Sequence, residues 1–113
     1  MLLTDRRTAA FTAVVLISLV VLFAPRTPSE QGIPHIDKLV HGTLFLALAV
    51  TTRWRFGPRL AGLVAVLAYA AASELVQQHW LAQRDGDIRD FAADAVGALL
   101  GWLLARRVLS RAR

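Results

Sequence analysis

Seven residues that can do chemistry stand among otherwise apolar stretches: Asp37, His41, Glu74, Gln77, Arg84, Asp90 and Asp94. An imidazole among carboxylates can relay protons, hold polar atoms of a ligand or help to hold a divalent cation. The spacing groups them on helix faces. Asp37 and His41 are four apart, Glu74 stands with Gln77 and Gln78 at i, i+3 and i+4, and Asp90 and Asp94 are four apart. Arg84 lies in a connection that can fold back over the carboxylates and balance their charge. Other chemistries are missing. There is no cysteine, and no Ser beside a base to act as a nucleophile. His35, His41 and His79 are too scattered for a paired-histidine metal motif, and there is no nucleotide loop, dinucleotide fingerprint or haem-attachment motif. The sequence therefore implies no metal and no cofactor.

The elements that must position these residues are apolar. The chain has 113 residues, 56% hydrophobic and 19% charged, with a mean hydropathy of +0.49. Soluble domains carry roughly 45–50% apolar and about 25% charged residues. The length allows one domain, 1–113. Charge is nearly absent from four runs, Ala9 to Ala24, Leu39 to Thr52, Leu60 to Val76 and Phe91 to Ala105. They predict helices over about 8–24, 37–52, 59–81 and 88–106. Ala9 to Ala24 and Leu60 to Ala72 are apolar all round, unlike a surface helix with a polar stripe. The expected fold is all-α, a four-helix transmembrane bundle. Met1 to Ala24 has the basic start and apolar centre of a signal peptide. However, Leu22, Phe23 and Ala24 run into Pro25, a poor cleavage site, so an uncleaved first helix is expected.

The basic residues give an orientation. Arg6, Arg7, Arg53, Arg55, Arg59, Arg106, Arg107, Arg111 and Arg113 fall on one side, and Arg26, Lys38, Arg84 and Arg89 on the other, nine against four. The positive-inside rule puts the nine, and both termini, in the cytoplasm. The formal net charge of +5 then reflects topology and attraction to anionic membrane lipids. It does not indicate nucleic-acid binding, because the arginines are split among helix ends. Trp54, Trp80 and Trp102 sit near the ends of the runs and read as interfacial anchors. Ala93, Gly97, Gly101 and Ala105 form a ladder of small residues beside Asp94, marking Gly97 and Gly101 as the side where a helix packs closely.

Helix rise converts position into depth. Counted from the arginine at the basic end of each helix, His41 and Asp94 lie about 18 Å in and Glu74 about 22 Å in. Three helices thus carry an ionisable group at nearly one level. Asp37, Gln77, Gln78 and Asp90 form a second layer about one turn further out. Simpler roles exist for some of these: Asp37 as an N-cap, Asp87 with Asp90 as a capping pair, Gln78 as an interfacial polar residue, Asp85 and Arg89 as solvated loop charges. Capping does not explain His41, Glu74 or Asp94, which lie inside their helices, where a charge costs several kcal/mol unless paired or solvated.

The same residues carry a resemblance. Asp37-Lys38-x-x-His41 with Phe45, then Glu74-x-x-Gln77, Arg84, and Asp90-x-x-x-Asp94-x-x-Gly97-x-x-x-Gly101 resembles the VanZ-like family of small bacterial membrane proteins. The match spans about Asp37 to Gly101. The chain departs from the family pattern in having Asp94 where Asn is usual and in lacking the usual Pro before Arg84. Its interval Gln78-His79-Trp80-Leu81-Ala82-Gln83 is about one residue longer than typical. The resemblance implies a multi-pass protein of the bacterial inner membrane, in a family named for an association with teicoplanin resistance. It does not supply a reaction.

Three functions follow as expectations. The first is binding of a lipid-linked or glycopeptide-type envelope ligand at the outward polar layer, with membrane lipids as surroundings and an influence on envelope-antibiotic susceptibility. The second is a membrane-embedded hydrolase or transferase acting on an envelope lipid. The third is a small transporter, for which a homo-oligomer would supply the missing pathway. The reading leans to binding without catalysis.

Overall fold

The computed structural model describes residues 6–23, 36–80 and 88–111, omitting the side chains of Ile36, Asp37, Gln77, Gln78, Trp80, 88–90 and 108–111. The described residues form four helices and no strand: α1 (Arg6–Phe23), α2 (Ile36–Phe56), α3 (Leu60–Trp80) and α4 (Ile88–Arg111). Two helices outrun the apolar segments that announce them. α2 continues through Arg53, Trp54 and Arg55 to Phe56, and α4 continues past Ala105 to Arg111. Arg and Leu are strong helix formers, so the helix persists after the apolar face has ended. Gly57 stops α2. Its φ of 91° lies in the left-handed region that Gly adopts freely, and its N–H donates to the Arg53 carbonyl at 2.8 Å.

α2 is the central helix and packs against α1, α3 and α4, most extensively against α4. The core collects Leu44, Phe45, Leu48 and Ala49 from α2 with Leu22, Val66, Ala70, Ala98 and Trp102 from the other three helices. The α2–α4 seam is close because its residues are small. A Cβ at Gly97 would run into the Gly42 backbone, and one at Gly101 into the Leu46 backbone.

Trp102 corrects one expectation. It is buried in the core rather than anchored at an interface. The Arg53 guanidinium lies 5.0 Å from its ring centroid and donates to its carbonyl at 3.2 Å, so the cation covers the ring that the sequence places near the helix end. Trp54 is half-buried; the Trp80 side chain lies outside the described residues.

α1 docks lightly, with only Ser18 and Leu22 buried. Ser18 Oγ donates to the Val15 carbonyl at 2.7 Å, so the 2.8 Å contact with Tyr69 is donated by the tyrosine O–H. Phe11 meets Phe56 edge-on at 5.1 Å, and Arg55 Nε donates to Thr8 at 2.8 Å. Among the described residues, α1 is also the one helix that is long and apolar enough to cross a membrane on length and composition; the apolar part of α3, Leu60–Val76, is shorter.

Candidate functional site

Three of the seven singled-out residues meet. α2 supplies His41, α3 supplies Glu74 and α4 supplies Asp94, with 1%, 7% and 0% of their surfaces exposed. His41 Nδ1 lies 2.8 Å from Asp94 Oδ1 and 3.7 Å from Glu74 Oε1. An ionised carboxylate can only accept, so with Asp94 ionised the proton of this contact sits on Nδ1. Helix faces explain the meeting. Phe45 follows His41 by one turn and Ala98 follows Asp94 by one turn; with Ala70, one turn before Glu74, all three are buried. The residues just inward of the triad are therefore apolar, and each ionisable group occupies the polar end of its helix's buried stripe.

The backbone sets how closely the groups approach. Gly42 follows His41 directly, and Gly97 stands three residues after Asp94; these two glycines touch across the seam. Ser73, beside Glu74, is fully buried and returns its hydroxyl to the Ala70 carbonyl at 2.9 Å, so it satisfies its own helix rather than joining the triad.

Asp37, Gln77 and Asp90 lie on α2, α3 and α4 about one turn from His41, Glu74 and Asp94, but their side chains, like all of Arg84, lie outside the described residues. Gly97 and Gly101 are at the helix seam. Sequence reasoning missed the Ser18–Tyr69 pair. Its signal was present, since Tyr69 is the single tyrosine of the chain and Ser18 is one of two hydroxyls in the first apolar run.

The donor set has a further property. The triad offers one imidazole nitrogen and two carboxylate oxygens, all within 4.8 Å of one another. No sequence motif could display this, because each donor comes from a different helix. A groove between α2 and α4, whose lining includes Gly42 and Ala93, the neighbours of His41 and Asp94, has a volume of about 440 Å³ and is lined also by Lys38, Leu39, Thr43 and Leu46. A second groove of about 410 Å³, between α1 and α2, shares Leu39 and Thr43 with it.

No protein-family model, curated protein or solved structure matches this chain.

Proposed function

We propose that this chain is a VanZ-like, four-span protein of a bacterial cytoplasmic membrane, with both termini in the cytoplasm. We further propose that it binds a polar group of a lipid-linked envelope ligand at the His41–Glu74–Asp94 cluster. The order of motifs from Asp37 to Gly101 supports the family reading. An inverted distribution of polarity supports the membrane reading. Val20, Leu39, Leu60, Val64 and Leu103 are each at least 60% exposed, while His41, Glu74, Asp94, Ser18 and Ser73 are buried. In water the informative anomalies are buried polar groups and exposed apolar patches, and here both occur together. Lipid removes the anomaly on the outside, and the triad pairs the groups within. Helices of 18, 21, 21 and 24 residues extend about 27–36 Å, comparable with a hydrocarbon core of about 30 Å.

The convergence of three ionisable groups from three helices carries the binding reading. Burying such groups costs several kcal/mol unless they are paired or solvated. The apolar groove between α2 and α4, lined by the chain neighbours Gly42 and Ala93 and carrying Lys38 on its lining, suits an acyl chain with an anionic head. The test is native mass spectrometry of the protein released from its own membranes, with antibiotic susceptibility of the cells measured in parallel. Glu74→Gln and His41→Ala, expressed at normal levels, are expected to lose the co-purified lipid-linked species and to shift glycopeptide susceptibility. Unchanged lipid content and unchanged susceptibility would sink the proposal.

One observation favours the second reading, acid–base catalysis on an envelope lipid. The 2.8 Å His41–Asp94 contact is a carboxylate-oriented imidazole, the arrangement that fixes a tautomer for proton transfer. Turnover of a membrane-lipid pool by the purified protein, abolished by His41→Ala, would promote that reading over binding alone.

A further inference from the structure

The triad has a donor chemistry that a ligand-binding role does not use. We propose that His41, Glu74 and Asp94 bind one divalent transition-metal cation of the zinc class. This deepens the reading of the triad as a working site and rests on it.

Geometry is the first support. Around a tetrahedral zinc with bonds near 2.1 Å, ligand atoms stand about 3.4 Å from one another. The observed Nδ1–Oδ1 and Nδ1–Oε1 separations of 2.8 and 3.7 Å bracket that value, and all three donor atoms fall within 4.8 Å. Donor type is the second support. A borderline-soft cation suits imidazole, whereas magnesium and calcium favour oxygen ligands and usually keep several waters or more carboxylates. Charge is the third. With a neutral imidazole the two carboxylates carry −2, which one divalent cation neutralises where uncompensated charge is expensive. Binding through Nδ1 uses the other tautomer: the proton passes from Nδ1 to Nε2, the imidazole stays neutral, and the freed Nδ1 lone pair turns to the metal.

Three protein donors leave a fourth position for water or for an oxygen of the envelope ligand. The residue completing the set is Asp94, whose carboxylate is the second of the two. Asp37 and Asp90, one turn away on the same helices, continue the line of ionisable positions toward the helix ends.

The experiment uses the full chain in nanodiscs, stripped with a chelator and titrated with Zn²⁺, with bound metal counted by mass spectrometry after desalting. Co²⁺ serves as the spectroscopic probe, because a low-symmetry nitrogen–oxygen site gives it visible bands. One ion per chain is expected. Asp94→Asn, which keeps the side-chain shape and an acceptor for His41, is expected to weaken binding by more than the roughly 10–100-fold that loss of an outer-shell partner costs. Glu74→Gln should do the same, while a His35→Ala/His79→Ala double variant should retain the ion and the Co²⁺ bands. No ion at stoichiometric Zn²⁺, or an ion retained in Asp94→Asn and Glu74→Gln, overturns the proposal. Circular dichroism and melting of each variant identify any that has failed to fold, and the conservative pair keeps the test decisive if His41→Ala does not fold. No envelope ligand is present, so failure here is separable from failure of lipid binding, which is read on protein taken directly from its membranes.

Discussion

Gly42 and Gly97 face each other across the α2–α4 seam, yet they should respond oppositely to the same added methyl. A Cβ built on Gly97 would run into the Gly42 carbonyl oxygen and lie 2.8 Å from the carbonyl carbon and 2.9 Å from its Cα, whereas a Cβ on Gly42 meets only the Ala93 carbonyl oxygen, at 3.7 Å. Carbon atoms pack at about 3.5–4.0 Å, so Gly97→Ala must open the seam locally by about 0.7 Å or more. His41 adjoins Gly42, and Asp94 lies one turn before Gly97. The opening therefore carries the 2.8 Å His41–Asp94 contact toward and past the roughly 3.5 Å limit of a useful hydrogen bond. Overpacking costs about 1–3 kcal/mol, and a lost hydrogen bond to a charged group about 1.5–3 kcal/mol. The better helix propensity of Ala returns about 1 kcal/mol. Gly97→Ala is expected to destabilise by about 1.5–5 kcal/mol, and Gly42→Ala to be neutral or to stabilise by up to about 1 kcal/mol. Reversible unfolding of the two variants in mixed micelles, followed by circular dichroism, measures the difference. Equal effects, or a Gly97→Ala change within about 0.5 kcal/mol of zero, the usual range for surface substitutions, would refute the account of the seam.

Three further outcomes follow from other contacts. Ser18→Ala and Tyr69→Phe should each cost about 1 kcal/mol, and the double variant less than their sum, because both remove one hydrogen bond; full additivity in unfolding titrations would show that the bond contributes nothing. At Gly57, φ of 91° with no atom within 4 Å of an added Cβ makes backbone conformation the only obstacle. Gly57→Val should therefore cost about 1–2 kcal/mol and Gly57→Asn distinctly less, and equal melting points for the two would contradict this. For topology, a fluorescent protein fused after Arg113 should be bright and alkaline phosphatase fused there inactive, with the reverse for fusions within the connection between α1 and α2; a swapped pattern would invert the orientation.

Much of this architecture is legible in the residues, and the part that is not has a physical reason. Charge-free runs mark the four helices because a polar side chain in an apolar stripe is costly, and that cost also makes His41, Glu74 and Asp94 conspicuous. Gly97 and Gly101 announce the close seam because few other side chains allow backbones to touch. Helix ends are harder: the apolar run stops where burial stops, whereas α2 and α4 continue through arginines that favour helix. Trp102 is misleading because position along a helix indicates depth but not which way a ring turns, and the covering Arg53 comes from another helix. The donor geometry is illegible for the same reason. Separations of 2.8 and 3.7 Å depend on how three helices rotate about their axes, and spacing within any one of them is silent on that.

The order of synthesis gives the double role of Ser18 a meaning. Tyr69 lies 51 positions after Ser18, so at about 5–20 residues per second α1 waits about 3–10 s for the hydroxyl that will bond to it. During that wait the Ser18 proton is not left unbonded, because it is already given to the Val15 carbonyl one turn back. The later helix brings a donor rather than an acceptor, and takes up the lone pair that the serine has kept open. A newborn α1 can therefore stand as a helix with its serine already satisfied, and dock without first breaking a bond when α3 arrives.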